Sequence, residues 1–340
     1  MKPNQLFEHL IAKNDLSPSQ MQEVIHACMS GQFNDLQIAT FLALMRMKGE
    51  SVAELTAAAQ VMQHLAHHLD LGVDAIDIVG TGGDGKNTFN ISTAASFVVA
   101  AAGIPVAKHG NRSVSSRSGS ADLLEKAGFA LALEDEAILS CIQTCNLAFL
   151  FAPHYHPAMQ HARLARQQLG IRTLFNLLGP LINPTQVRRQ VVGVFAKTWQ
   201  KPVATVLANL GSVRSLVVSS DDGLDEISIA ASTDVLEYNQ GSFRQWQINP
   251  AEFGMLHPSL DPIVVESPEQ SLTLINEVFA GQKGPARDIV VLNSAATLYC
   301  AVDTQNFADA IEQAKAAIDS GKAAKCFETL RNLTQTLKKE

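Results

Sequence analysis

The sequence predicts an α/β protein in two parts: a small helical domain over residues 1–70, then an α/β domain over residues 74–340 with a mainly parallel central sheet. Three observations predict it. Helix-start signatures recur at short intervals through the first 70 residues. From Ala75 onward, short β-rich runs alternate with Ala-rich stretches of helical character. The composition, 46% hydrophobic and 17% charged over 340 residues, supports a large core and excludes disorder as the main state.

In the helical part, Ser17-Pro18-Ser19-Gln20 places Ser at the N-cap, Pro at the first helical position and Gln at N3, so a helix runs over Met21–Met29 and ends at Gly31. Asn34 with Gln37 opens the next helix, whose stripe Ile38, Phe41, Leu42 and Met45 stops near Gly49. Ser51 and Glu54 form a third capping box ahead of Leu55, Val61, Met62 and Leu65. His64, His67 and His68 read as a solvated helix end, because no carboxylate or cysteine follows at ligand spacing.

In the α/β part, Ile76–Val79, Ile104–Ala107, Leu147–Phe151, Val191–Phe195 and Leu216–Val218 read as strands, with Ala94–Ala102 and Asp122–Lys126 as helices. The Gly- and Pro-rich segment Gly170–Pro184 reads as a crossing between the two parts, with some of residues 170–190 packing on the helical domain. Hinges are expected there and near Leu69–Val73. Parallel sheets bind ligands beyond the C-terminal ends of their strands, so the site is expected in the loops that follow them.

Charge and cysteines narrow the function. Lys and Arg number 26 against 33 Asp and Glu, a net charge of −7 that repels a nucleic-acid backbone unless basic groups concentrate locally. The longest apolar stretch, Ala94–Ala107, contains Ser96, Gly103 and Pro105 and falls short of the roughly 20 residues a membrane span needs. The start MKPNQLFEHL is too polar for a signal peptide, so a cytoplasmic location is expected. Cysteines at 28, 141, 145, 300 and 326 form no C-x-x-C pair and read as reduced, mostly buried thiols.

The strongest local pattern is DIVGTGGDGKNTFNIST, Asp77–Thr93: a strand, a loop dense in glycine and a hydroxyl-rich helix entry, suited to an anion held by backbone N–H groups. Gly80, Gly82 and Gly85 satisfy a dinucleotide-binding pattern, but no acidic residue follows in 85–121 to hold ribose hydroxyls. Gly80, Gly85 and Lys86 satisfy a P-loop pattern, but Asn87 replaces its Ser or Thr. The acid-free window 85–121 carries Lys86, Lys108, Arg112 and Arg117 with His109, Asn111 and several serines, a set suited to a ligand with more than one phosphate. Asp221, Asp222, Asp225 and Glu226 follow the Leu216–Val218 strand. If they share that site, a hard cation such as Mg²⁺ must join them to the phosphates.

In order, GTGGDG (80–85), NIST (90–93), KHGNR (108–112), SSRSGSAD (115–122), FAPHYHP (151–157), GIRTLFNLLGPLINP (170–184) and GLDEIS (223–228) resemble the anthranilate phosphoribosyltransferases over nearly the whole chain. The resemblance implies a nucleoside phosphorylase/phosphoribosyltransferase-like fold, a homodimer formed through the helices, and transfer of phosphoribose from phosphoribosyl pyrophosphate to anthranilate in tryptophan biosynthesis. By motif position it implies that Gly80, Gly83, Asp84, Thr88, Asn90, Ile91, Ser92 and Thr93 contact phosphoribosyl pyrophosphate. Lys108, His109, Gly110, Asn111, Arg112, Ser113, Val114, Ser115, Ser116 and Ser120 would continue that site. Gly80, Asn111 and Arg166 would meet anthranilate with His109 and His154 beside it, and Ser92, Asp225 and Glu226 would hold Mg²⁺.

No side chain is assigned as nucleophile, since Lys108, metal and backbone donors can stabilise the departing pyrophosphate. Arg166 can pair with the anthranilate carboxylate, and Arg163, one turn earlier, is read as structural. His154 and His156, flanked by prolines, read as a lid or positioning pair. Arg117 stands where the family commonly has Lys, and Ser219 where a His often precedes the acidic loop. Two alternatives remain: a non-catalytic nucleic-acid-binding relative, which the charge disfavours, and a nucleoside phosphorylase, which would need neither the Asp225–Glu226 pair nor Arg166.

Overall fold

The computed structural model describes residues 1–113, 117–303 and 306–338. Four helices come first: α1 (Pro3–Ile11), α2 (Pro18–Met29), α3 (Asp35–Lys48) and α4 (Val52–His64). β1 (Ile76–Gly80), α5 (Ile91–Ala101), β2 (Val106–Gly110), α6 (Ser120–Lys126), α7 (Asp135–Cys145) and β3 (Leu147–Phe151) follow. Next are α8 (Ala152–Tyr155), α9 (Gln160–Leu169), α10 (Leu174–Leu178), β4 (Arg189–Gly193), α11 (Gln200–Asn209), β5 (Arg214–Ser220), β6 (Thr233–Asn239) and β7 (Ser242–Ile248). Helices α12 (Pro268–Phe279), α13 (Pro285–Ala301), α14 (Phe307–Asp319) and α15 (Lys322–Leu337) end the described chain.

All three sequence-legible caps form. Ser17 and Gln20, Asn34 and Gln37, and Ser51 and Glu54 each exchange reciprocal side-chain-to-backbone hydrogen bonds at the starts of α2, α3 and α4. Glu54 does more than cap. Its fully buried carboxylate also accepts from Leu16 N at 2.9 Å and from Lys48 Nζ at 2.8 Å, tying the α1–α2 connection, α3 and α4 together.

The sheet has seven strands in the order β3-β2-β1-β4-β5-β6-β7, parallel from β3 to β5 and antiparallel through β6 and β7. The β6–β7 hairpin is an addition to the sequence reading. Its turn is Gln240-Gly241, both at positive φ (44° and 94°), the conformation a two-residue hairpin connection requires.

Strand alternation sends side chains into two cores. Val191, Leu216 and Val218 join the larger core under α5 and α13, whereas Val192, Val194 and Val217 face the other way and join a core with α1–α4. Leu174, Phe175, Leu177, Leu178, Leu181 and Ile182 belong to that second core, so much of the 170–184 segment is short helix packed on α1–α4.

Candidate active site

The chain runs from β1 to β2 and β3 on one side, then returns to β4 on the other, so order reverses between β1 and β4. A crevice at such a switch point is where an open α/β sheet takes its ligand. The two strands end there on the paired residues Gly80 and Gly193. A Cβ on Gly193 would overlap the Asp225 carbonyl, and one on Gly80 would overlap the Asp225 carboxylate. Two glycines therefore let the acidic loop after β5 dock directly on the strand ends.

Once docked, that loop is tied to the glycine loop and to the start of α5. Asp225 Oδ2 accepts from Gly82 N at 2.6 Å, and Glu226 Oε1 accepts from Ser92 N at 2.9 Å. Burial, and then the charge of Asp84, push Asp225 up to about 7. Burial followed by the charges of Asp225 and Asp84 pushes Glu226 well above the usual carboxylate range. Three carboxyl groups, those of Asp84, Asp225 and Glu226, thus crowd one corner. A divalent cation among these carboxylates would relieve that crowding, so this donor set fits Mg²⁺. Among the described residues no three His, Cys, Asp or Glu groups close into a cage. Magnesium suits such an open arrangement because it takes one or two carboxylates together with waters and substrate phosphates.

Lys108 lies beneath this corner. Only 3% exposed, it donates to Ile78 O at 2.8 Å and to Ser92 Oγ at 3.3 Å. Burial lowers its pKa, and the charges of Asp77 and Glu226 oppose that shift. Burial also pushes Asp77 up to about 6. Asn183 donates to Asp77 Oδ2 at 2.8 Å and to Ala107 O at 2.9 Å, anchoring the 170–184 segment beneath β1 and β2.

On the other side, β2 ends at His109 and Gly110. The buried His109 ring lies 5.1 Å from the buried His156 ring. Desolvation depresses both, His109 to about 3 and His156 to about 4, so both imidazoles are neutral at pH 7. Asn90 braces the glycine loop: its Oδ1 accepts from Ser118 Oγ at 2.8 Å and Ser271 Oγ at 2.7 Å, and its Nδ2 donates to Ser118 O at 3.0 Å. Arg166, half-buried on α9, sits with its guanidinium 5.4 Å from the Phe175 ring centroid, and burial alone lowers its pKa.

Two family models match the chain: "Glycosyl transferase family, helical bundle domain" over residues 4–66, and "Glycosyl transferase family, a/b domain" over residues 72–324. An anthranilate phosphoribosyltransferase of Legionella pneumophila (strain Paris) is 72% identical over 340 residues, covering 100% of this chain and 99% of the relative. The chain belongs to the anthranilate phosphoribosyltransferases. Two solved members superpose closely. The Thermus thermophilus enzyme does so with TM-score 0.89 at 37% identity over 97% of this chain and 99% of its own. The Saccharomyces cerevisiae enzyme, solved in complex with PRPP and Mg, does so with TM-score 0.89 at 27% identity over 98% of each chain.

Within this anthranilate phosphoribosyltransferase fold, Gly80, Asp84, Ser92, Lys108, Asp225 and Glu226 converge, as do Asn90, Asn111, Ser113 and Ser120 around the β2 exit. Ser120 Oγ donates to Asn111 O at 3.3 Å, and Ser113 N donates to Asp122 Oδ2 at 2.9 Å. Gly110 makes room for Ser120 and Phe149, and Thr88 bridges to Val264. Val114, Ser115 and Ser116 lie outside the described residues.

The structure places the other expected contact residues as follows. The Lys108 ammonium lies beneath the sheet end, donating to Ile78 O and Ser92 Oγ, and so positions the Ser92 hydroxyl. Arg112 forks onto Glu125 and also reaches Asp122, which makes it a brace of α6. Ile91 is a buried core residue of α5, and Thr93 is buried beside it on the same helix. The exposed His154 ring packs on His67 (centroids 6.2 Å apart) and Tyr155 (5.2 Å), and it is His156 that stands beside His109.

Proposed function

We propose that this chain transfers the 5-phosphoribosyl group of phosphoribosyl pyrophosphate to the anthranilate amine, releasing pyrophosphate, a pentosyltransferase step of tryptophan biosynthesis. One observation carries the reading: glycine loop, acid corner and α5 N-terminus meet at the β1/β4 switch point, within a chain that also holds a desolvated Arg166 free of any carboxylate partner among the described residues. The amine nitrogen attacks the anomeric carbon, the bond from that carbon to the pyrophosphate oxygen breaks with its electron pair, and the nitrogen loses a proton.

Backbone N–H groups of the glycine loop face the phosphates, and Asn90 holds that loop rigid through Ser118 and Ser271. Ser92, Asp225 and Glu226 would hold Mg²⁺ with Asp84 beside them, and the bound ion would neutralise charge gathering on the leaving pyrophosphate. Lys108 fixes the Ser92 hydroxyl. Arg166 pairs with the anthranilate carboxylate and so orients the amine. The neutral His109–His156 pair leaves anthranilate the uncharged wall that an aromatic ring needs.

Exposed Leu36 and Met47 on α3, each 76% accessible, support a homodimer formed through the helices. Among the described residues no helix is long and apolar enough to cross a membrane, and the five free cysteines suit a reducing cytoplasm. The test is product analysis: anthranilate and phosphoribosyl pyrophosphate with Mg²⁺ should give N-(5-phosphoribosyl)anthranilate and pyrophosphate in equal amounts. Cleavage of thymidine or uridine by phosphate, with anthranilate untouched, would overturn the reading.

A further inference from the structure

Arg172 joins three parts of the molecule. Its carbonyl accepts a hydrogen bond from Arg46 of α3, so its backbone is held by the helical region. Its guanidinium carbon lies 4.1 Å from the centroid of Phe195, just beyond the end of β4. Its Cδ lies 2.9 Å from where a Cβ on Gly83 would be, so the stem rests against the glycine loop. Gly83 is next to Gly82, whose N–H holds Asp225, and next to Asp84 of the acid corner.

The cation is also uncommitted. Among the described residues the arginines in ion pairs are Arg112, Arg189, Arg214, Arg244 and Arg287, so Arg172 keeps its positive charge unpaired. It makes no side-chain hydrogen bond to a protein acceptor among the described residues, so its N–H donors are unspent. Stacking on Phe195 holds the guanidinium plane and leaves its edge to donate. A planar fork of this kind matches a phosphate oxyanion.

We propose that Arg172 is a further substrate-binding residue, which takes the pyrophosphate group of phosphoribosyl pyrophosphate from the side of the glycine loop that faces the helical region. The proposal rests on the reaction assigned above and adds a second arginine with a role of its own, Arg166 serving the acceptor and Arg172 the donor. Because Arg46 holds its backbone, Arg172 meets the phosphates only when α3 is seated against the 170–173 segment.

The test compares the parent enzyme with R172Q and R172K. Inorganic pyrophosphate is titrated calorimetrically in the presence of Mg²⁺, and KM is measured for both substrates. R172Q should weaken pyrophosphate binding and raise the KM for phosphoribosyl pyrophosphate by roughly tenfold or more, with the anthranilate KM moving less than about twofold. R172K should recover part of the loss, because it restores the charge without the fork. Unchanged pyrophosphate affinity in R172Q would overturn the proposal. So would a fall in thermal stability with both KM values moving together in R172Q and R172K, the signature of a structural role. Calorimetry needs no turnover, so a parent enzyme that bound pyrophosphate but left anthranilate unchanged would fail the assigned reaction while the Arg172 comparison still stood.

Discussion

Arg166 and the histidine pair illustrate how burial sets the chemistry of single residues. Arg166 gives up hydration against Phe175 without gaining a carboxylate partner among the described residues, so an incoming carboxylate recovers what burial cost. R166A should therefore raise the KM for anthranilate about tenfold or more while changing that for phosphoribosyl pyrophosphate far less. The reverse pattern in steady-state kinetics would remove Arg166 from the acceptor site. His156 has a signature in stability. Its ring stays neutral down to about pH 4 in the folded chain, whereas an unfolded histidine protonates near pH 6.5, so stability drains away as pH falls through that window. H156Q removes that titration, and urea unfolding between pH 7 and pH 4.5 should show a slope shallower by up to roughly 1.4 kcal/mol per pH unit. Parallel curves for the two proteins would mean the ring is not held neutral.

At the scale of elements, the site depends on a loop docking on two strand ends. G193A would drive a Cβ into the Asp225 backbone, where the neighbour is main chain and cannot swing aside. A stability loss of about 1–3 kcal/mol with collapse of activity is expected. G179A, at a glycine whose Cβ would meet nothing within 4 Å, is the matched control and should unfold at nearly the parent temperature in a thermal melt. D225N combined with E226Q tests the acid corner: the Mg²⁺ concentration for half-maximal activity should rise about tenfold or more. An unchanged metal titration would exclude both residues from holding the ion.

What was legible in the sequence follows the same division. Caps and the glycine loop are local chemistry, so Ser17, Asn34, Ser51 and Gly80–Gly85 could be read directly. The β6–β7 hairpin carried its signal in the alternation on either side of Gln240-Gly241, a weaker turn pair than Asn-Gly. The destinations of Lys108, Arg112 and His154 were not legible. Each was the right residue type in the right motif, but Ile78 O, Glu125 and His67 claim them only through tertiary packing. Arg172 stands inside the 170–184 motif, but nothing in a Gly/Pro-rich crossing foretells contact with Gly83 and Phe195.

In the whole molecule, the sheet faces two cores, and the helical region packs on β4 and β5 through Val192, Val194 and Val217. The β1/β4 switch point is where the glycine loop meets the acidic loop after β5, which explains why residues from 80 to 226 build one site. The most direct test of this account follows anthranilate fluorescence over time with phosphoribosyl pyrophosphate and Mg²⁺, alongside reactions with EDTA and without the phosphoribosyl donor. Loss of anthranilate signal only when donor and metal are both present is the predicted result. A folded protein that leaves the signal unchanged under all three conditions would contradict the account.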